Sequence, residues 1–187
     1  SAANVDISKH LISAVDEAIN VFDLEKVAKT KLPPAHWGYL ASGVEDDATL
    51  RANREAFKNY HLRPRRLVDV SSIEMKRKIF GVEWDSPIFL CPVSSQKTFH
   101  PEGEIAVARA AKQKKHLQLL STVTTSPLEE VIAARGAPIW YQLYTQGWKI
   151  TQAFVKRADA AGCPVLVLTV DQLDARNSET KLRFIRK

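Results

Sequence analysis

The chain reads as an α/β protein, a (β/α)8 TIM barrel. It supplies an N-terminal helical cap, a hairpin at the barrel bottom and about the first four βα units. Three observations predict this. Beyond Asp85, short apolar runs alternate with helical patterns at about 25 residues per unit, which implies parallel strands under covering helices. No G-x-G-x-x-G or G-x-x-x-x-G-K-[ST] follows any run, which counts against a nucleotide-binding doubly wound sheet. Each apolar run ends in polar residues, and a barrel draws single functional residues from several strand ends. The fold typically takes ~250 residues, so 187 residues with four visible units read as a first half. The expected division is residues 1–60 as a helical segment packing on the barrel. Residues 61–187 are then the half barrel, ending in the loop after strand four.

The elements follow in order. Ser8 to Asn20 has a loose amphipathic pattern. Asp23 reads as the N-cap of LEKVAKTKL, with Leu24, Val27 and Ala28 on one face. Pro33 and Pro34 end that helix and open a short one, AHWGYLASG, stopped at Gly43. Residues 45–59 place acids first and share Leu50 and Phe57 on one face, a third helix. An extended basic stretch, HLRPRRLVDV, leads to a hairpin around Gly81.

The alternation then begins. PIFLCPV (87–93) is strand one, and His100-Pro101 opens a helix, EGEIAVARAAKQ. LQLLSTV (117–123) is strand two. Ser126 to Glu129 has capping-box spacing before EEVIAAR and Gly136. PIWYQLY (138–144) is strand three, and Trp148 to Ala161 is a helix ended at Gly162. PVLVLTVD (164–171) is strand four, a continuous apolar run expected to be buried on both faces. Residues 172–187 are polar and basic, like a loop.

Composition is that of a soluble globular protein, with 45% hydrophobic and 26% charged residues. No apolar run approaches the ~20 residues of a spanning helix. Ser1 in place of Met reads as a processed start. Net charge is +6, spread over clusters such as Arg63, Arg65 and Arg66, then Lys112, Lys114 and Lys115. These clusters lack interleaved aromatics and lie in different segments, so a solvated surface is expected rather than nucleic-acid binding. Cys91 and Cys163 read as buried free thiols, and no His or Cys pair has metal-site spacing.

If the four strands are parallel, their C-terminal ends share one face. Strand one brings Pro92, Val93, Ser94 and Ser95 there, and strand two Ser121 beside Thr122. Strand three brings Gln142 and Tyr144, and strand four Thr169 and Asp171. Asp171 is either a turn cap or a site residue. Buried hydroxyl, amide and carboxylate groups need partners, and a polar ligand supplies them. Gln142 has both donor and acceptor capacity, suited to a heterocyclic amide edge, and Tyr39 and Tyr144 offer phenol donors suited to a carboxylate. Asp171 is suited to orient a histidine. The five histidines are His10, His36, His61, His100 and His116, and none sits at the end of an expected strand.

These stretches resemble the FMN-dependent 2-hydroxy-acid oxidases and dehydrogenases, such as glycolate oxidase, lactate oxidase and the flavin domain of flavocytochrome b2. The resemblance runs from about residue 22 to 172. It is carried by YLASGVEDDATLRANREAF, RPRRLVDVS, HPEGEIAVARAA, LSTVTTSPLEEV, WYQLYTQ and AGCPVLVLTVDQ. It implies an FMN held by backbone contacts from Pro92, Val93 and Ser94 and by the side chains of Ser121, Gln142 and Thr169. It implies that Tyr39 and Tyr144 hold the carboxylate and hydroxyl of a small 2-hydroxy-acid substrate. Asp171 is then the partner of a catalytic histidine supplied by the other half of the barrel. A homo-oligomer without a membrane span or bound nucleic acid is expected. The sequence departs from the family at Val123, where Trp is usual, and at Ser95, where a small residue or Met is usual. The segment DQLDARNSE aligns Ser178 with the family's substrate arginine, and Arg176 stands two positions away as its candidate replacement. A different phosphate-binding barrel and a non-catalytic basic module are the rival readings.

Overall fold

A computed structural model describes residues 11–171 and 177–186. Its contacts group the chain into two units, Ser1–Leu62 with Ala175–Lys187, and Arg63–Asp174.

The first unit is helical: α1 (Val21–Lys31), α2 (Pro34–Ala41), α3 (Ala48–Glu55) and a C-terminal helix, α7 (Glu179–Ile185). The cap of α1 is Asn20, whose Oδ1 accepts the Phe22 N–H at 2.9 Å. Asp23, expected as the cap, lies inside the helix and reaches back to accept the N–H groups of Ile19 (3.0 Å) and Asn20 (3.4 Å). This reciprocal box satisfies donors that the first turn leaves orphaned. Upstream, the helix expected from Ser8 falls partly outside the described residues. Between 11 and 20 it reduces to one 3-10 turn, Val15–Glu17. Val15 and Ile19 are largely exposed, and a short helix without a packed face is not stable in water.

The stretch expected to be a loop after strand four contains α7, a correction to the sequence reading. Glu45 donates its N–H to the Asn177 carbonyl at 2.7 Å and accepts from the Glu179 N–H at 3.2 Å. Thr180 Oγ1 donates to Asp47. Gly38 lets α7 approach α2: a Cβ there would stand 2.8 Å from Phe184 Cβ. These long-range contacts are invisible to a local reading of a polar segment.

The second unit opens with a hairpin, β1 (Arg77–Ile79) and β2 (Val82–Trp84). Phe80 and Gly81 both have positive φ, 47° and 82°, the geometry a tight hairpin of matching twist requires. Four parallel strands then form one sheet in the order β3 (Phe89–Leu90), β4 (Leu117–Leu120), β5 (Trp140–Leu143), β6 (Leu166–Leu168). They are joined by α4 (Gly103–Lys114), α5 (Leu128–Arg135) and α6 (Gly147–Ala160). The βαβαβαβ order is therefore as expected, although β3 and β6 are shorter than the apolar runs that contain them.

The register separates two faces. Leu120, Tyr141 and Leu143 lie on one face and form the core with Ala108 of α4, Leu128 and Val131 of α5 and Ala158 of α6. On the other face, Leu117, Leu119 and Ser121 stand beside Trp140, Gln142 and Tyr144, then Val167, Thr169 and Asp171. The ring of Phe80 packs on Trp140 at 5.3 Å, so the hairpin turn sits against the apolar, N-terminal part of that second face.

Strand β6 is not buried on both faces. Leu166 and Leu168 are 39% and 54% exposed, because β6 pairs only with β5 among the described residues. Cys91, expected buried, is exposed for the matching reason at the other edge, next to β3, and Cys163 is half-buried. Ser126 does not cap α5. Pro127 holds that position without a side-chain bond, and the Ser126 hydroxyl instead donates to Glu104 at 2.9 Å.

Candidate functional site

The second face of the sheet changes character along the strands. Its N-terminal part is apolar, and Ser121, Gln142, Tyr144, Thr169 and Asp171 follow at the C-terminal ends. Gln142 is the centre of this polar row and is 3% exposed. Its Oε1 accepts from the Thr122 N–H at 3.1 Å and from Ser121 Oγ at 3.3 Å. Its Nε2 donates to Thr169 Oγ1 at 2.8 Å. A backbone N–H only donates, so the bond from Thr122 fixes which end of the amide is oxygen.

Thr122, which the sequence offered only as a neighbour of Ser121, stitches β4 to β5 where the ladder ends. Its hydroxyl donates to the Gln142 carbonyl at 2.5 Å and accepts the Tyr144 N–H at 3.0 Å. Thr169 N–H donates to the Leu143 carbonyl at 3.0 Å and extends the β5–β6 pairing. The three strand ends are thus held in register by side chains as well as by backbone. Ser121 Oγ also accepts the Val123 N–H at 3.1 Å. The Val123 carbonyl accepts from Ser95 N–H at 2.8 Å, which brings the loop after β3 beside the loop after β4.

The structure therefore brings Ser121, Gln142 and Thr169 together directly. Pro92 and Ser94 are half-buried and Val93 exposed beside β3, with the Val93 carbonyl accepting Gln96 Nε2 at 3.2 Å. Tyr144 is half-buried and Asp171 exposed. The Tyr144 hydroxyl and the Asp171 carboxylate have no hydrogen-bond partner among the described residues. Tyr39 lies in the helical unit on α2, with Lys181 Nζ 5.4 Å from its ring. Ser178 is buried in that unit and bridges Glu45, while Arg176 lies outside the described residues.

The donor set suits a polar heterocycle. Gln142 uses one Nε2 hydrogen on Thr169, and neither its second hydrogen nor the Thr169 hydroxyl hydrogen has an acceptor among the described residues. A ring edge that presents acceptors, such as a carbonyl oxygen beside a ring nitrogen, satisfies such a pair of donors. No group of three His, Cys, Asp or Glu side chains among the described residues could hold a metal ion. No described helix is long and apolar enough to cross a membrane.

The chain is similar to several known proteins. A family model for FMN-dependent dehydrogenase matches residues 28–186. Glycolate oxidase 1 of Zea mays is 41% identical over 172 residues, 90% of this chain and 47% of its own length. Glycolate oxidase of Spinacia oleracea is likewise 41% identical over 172 residues. A crystal structure of mandelate oxidase superposes with a TM-score of 0.83 at 36% identity, over 89% of this chain and 48% of that one. A Pediococcus acidilactici protein described as a lactate oxidase gives 0.84 at 30% identity over 93% of this chain and 48% of its own. The chain spans about half the length of the relatives it matches, and its parallel βα units are about half of their (β/α)8 barrel. The match over residues 28–186 takes in most of the chain and shows its family: the chain belongs to the FMN-dependent dehydrogenase family.

Proposed function

We propose that the complete protein oxidises a small L-2-hydroxy acid to the 2-oxo acid, with FMN bound across the C-terminal ends of β3 to β6. The observation that carries this is the Gln142 amide, locked between Thr122 and Thr169 with one hydrogen left to donate. Ser121, Gln142 and Thr169 would hold the flavin by their side chains, and Pro92, Val93 and Ser94 by their backbone. Bound there, FMN supplies the acceptor of a hydride equivalent from the substrate Cα.

Tyr144 and Tyr39 would bind the substrate carboxylate and hydroxyl through their phenols. Asp171 would accept a hydrogen bond from a histidine and stabilise its protonated form once that base has taken the substrate proton. That histidine is contributed by the part of the protein this chain does not span. The same part would cover the sides of β3 and β6 that have no strand partner among the described residues. Further copies of the protein complete the proposed assembly.

The test is anaerobic mixing of the full-length, flavin-loaded protein with glycolate, L-lactate and mandelate. Bleaching of the oxidised flavin band by at least one of them is expected. No bleaching by any of the three would contradict the reading.

A further inference from the structure

Glu104 is a charged residue that the site described so far does not use. It sits in the first turn of α4 and is completely buried. No lysine or arginine pairs with it among the described residues, and hydrogen bonds from two separate loops take that place. From the β3–α4 loop, the Gln96 N–H donates to Oε1 at 3.3 Å. From the β4–α5 loop, the Thr125 N–H donates to Oε1 at 2.8 Å. The Thr125 hydroxyl lies 2.9 and 2.7 Å from the two oxygens, and Ser126 Oγ donates to Oε2 at 2.9 Å. Burial alone would push the carboxyl up. The Thr125 N–H and hydroxyl, with Ser126, outweigh it and hold Glu104 below the usual range, as an anion.

Two direct ties run parallel to this carboxylate: Ser95 N–H to the Val123 carbonyl at 2.8 Å, and Lys97 N–H to Thr125 Oγ1 at 3.1 Å. The first loop begins with Pro92, Val93 and Ser94, and the second begins with Ser121 and Thr122. The buried carboxylate takes donors from both loops and so adds a third tie to these two, firm on the β4–α5 side and longer, at 3.3 Å, on the Gln96 side; a charged acceptor strengthens such bonds about twofold.

We propose that Glu104 is a positioning residue that clamps the β3–α4 and β4–α5 loops together and thereby sets the shape of the cofactor cradle. This rests on the flavin reading above, but the clamp has its own readout. Glu104→Gln keeps the side-chain length and removes the charge. In the full-length apoprotein, amide hydrogen exchange at Gln96 and Thr125 is expected to accelerate together, with Val131 in α5 unchanged. The dissociation constant for FMN, read by flavin fluorescence, is expected to rise about tenfold, the equivalent of ~1.4 kcal/mol. Ser126→Ala, which removes one donor to Glu104 and neither direct tie, is expected to show the same pattern more weakly, and it serves if Glu104→Gln does not fold.

Three results would overturn the clamp. One is faster exchange in a single loop only. Another is faster exchange throughout, Val131 included, which marks a general loss of stability. The third is faster exchange in both loops with unchanged FMN affinity. A wild-type protein that binds no FMN would remove the flavin reading, and the exchange pattern would still decide whether the loops are coupled.

Discussion

Gln142 Nε2 donates to Thr169 Oγ1 at 2.8 Å, across the ends of adjacent parallel strands. The bond fixes a buried amide whose oxygen is already filled from β4. Replacing Gln142 by Leu keeps its approximate size and strips three partners of their bond: Ser121, the Thr122 N–H and Thr169. Each unsatisfied buried polar group costs about 1–3 kcal/mol. Gln142→Leu is therefore expected to lower stability by about 3 kcal/mol or more in urea unfolding. An unchanged midpoint would mean that the network is not formed.

Gly38 faces Phe184 closely enough that an added Cβ would meet its Cβ at 2.8 Å. Gly38→Ala is expected to destabilise the α2–α7 contact by about 1–3 kcal/mol through overpacking. Faster amide exchange in α7, with exchange in α5 unaffected, would show the effect. Equal exchange in α7 would mean that the helices separate at no cost.

Arg157 Nε and a terminal nitrogen grip the two Glu129 oxygens at 2.9 and 2.6 Å, linking α6 to α5. That hydrogen bonding pulls the Glu129 carboxyl from 4.5 to about 2. Both side chains are half exposed, 50% and 55%, so water screens the pair. Its worth is closer to the ~0.2–1 kcal/mol of surface pairs than the shift suggests. The folded-state value is depressed, so the contribution is present above the unfolded value near 4.5 and is lost as pH falls toward 2. Glu129→Gln is expected to lower the melting temperature slightly at pH 7. The gap from wild type should close below pH 4, and a gap that widens in acid would reverse the sign of the argument.

Cys91 is exposed next to the edge strand β3, whereas Cys163 is half-buried and burial pushes its thiol up to about 11. Only the thiolate reacts. Iodoacetamide at pH 7.5 is expected to label Cys91 and spare Cys163 in the 187-residue chain. In the full-length protein Cys91 should be protected, because the proposed second half covers the open side of β3. Equal labelling of Cys91 in both would contradict that cover.

The alternation of apolar runs and helical patterns made the parallel sheet legible, because it depends on local periodicity and on Gly162, Gly136 and the prolines that punctuate it. The polar strand ends were legible for the same reason: Gln142 and Tyr144, two apart, must share a face. What a local reading could not give depends on distant partners. Ser126 has the spacing of a cap, but the buried Glu104, 22 residues away, takes its hydroxyl. Residues 177–186 look like a polar loop until Glu45 and Asp47 supply their bonds. PVLVLTVD reads as doubly buried, yet β6 lies at an edge among the described residues, and burial depends on neighbours that the run does not encode. Glu104 itself carried one signal, an acid inside an otherwise apolar helix face at EGEIAVARAA.

The claim that the polar strand ends hold FMN is tested most directly by titrating the cofactor into full-length apoprotein, wild type and Gln142→Leu, and following flavin fluorescence. Saturable quenching with wild type is expected, with an affinity at least tenfold weaker in the variant, about 1.4 kcal/mol for the lost polar contacts. A folded Gln142→Leu protein that binds FMN as tightly as wild type would contradict the placement of the cofactor on this face.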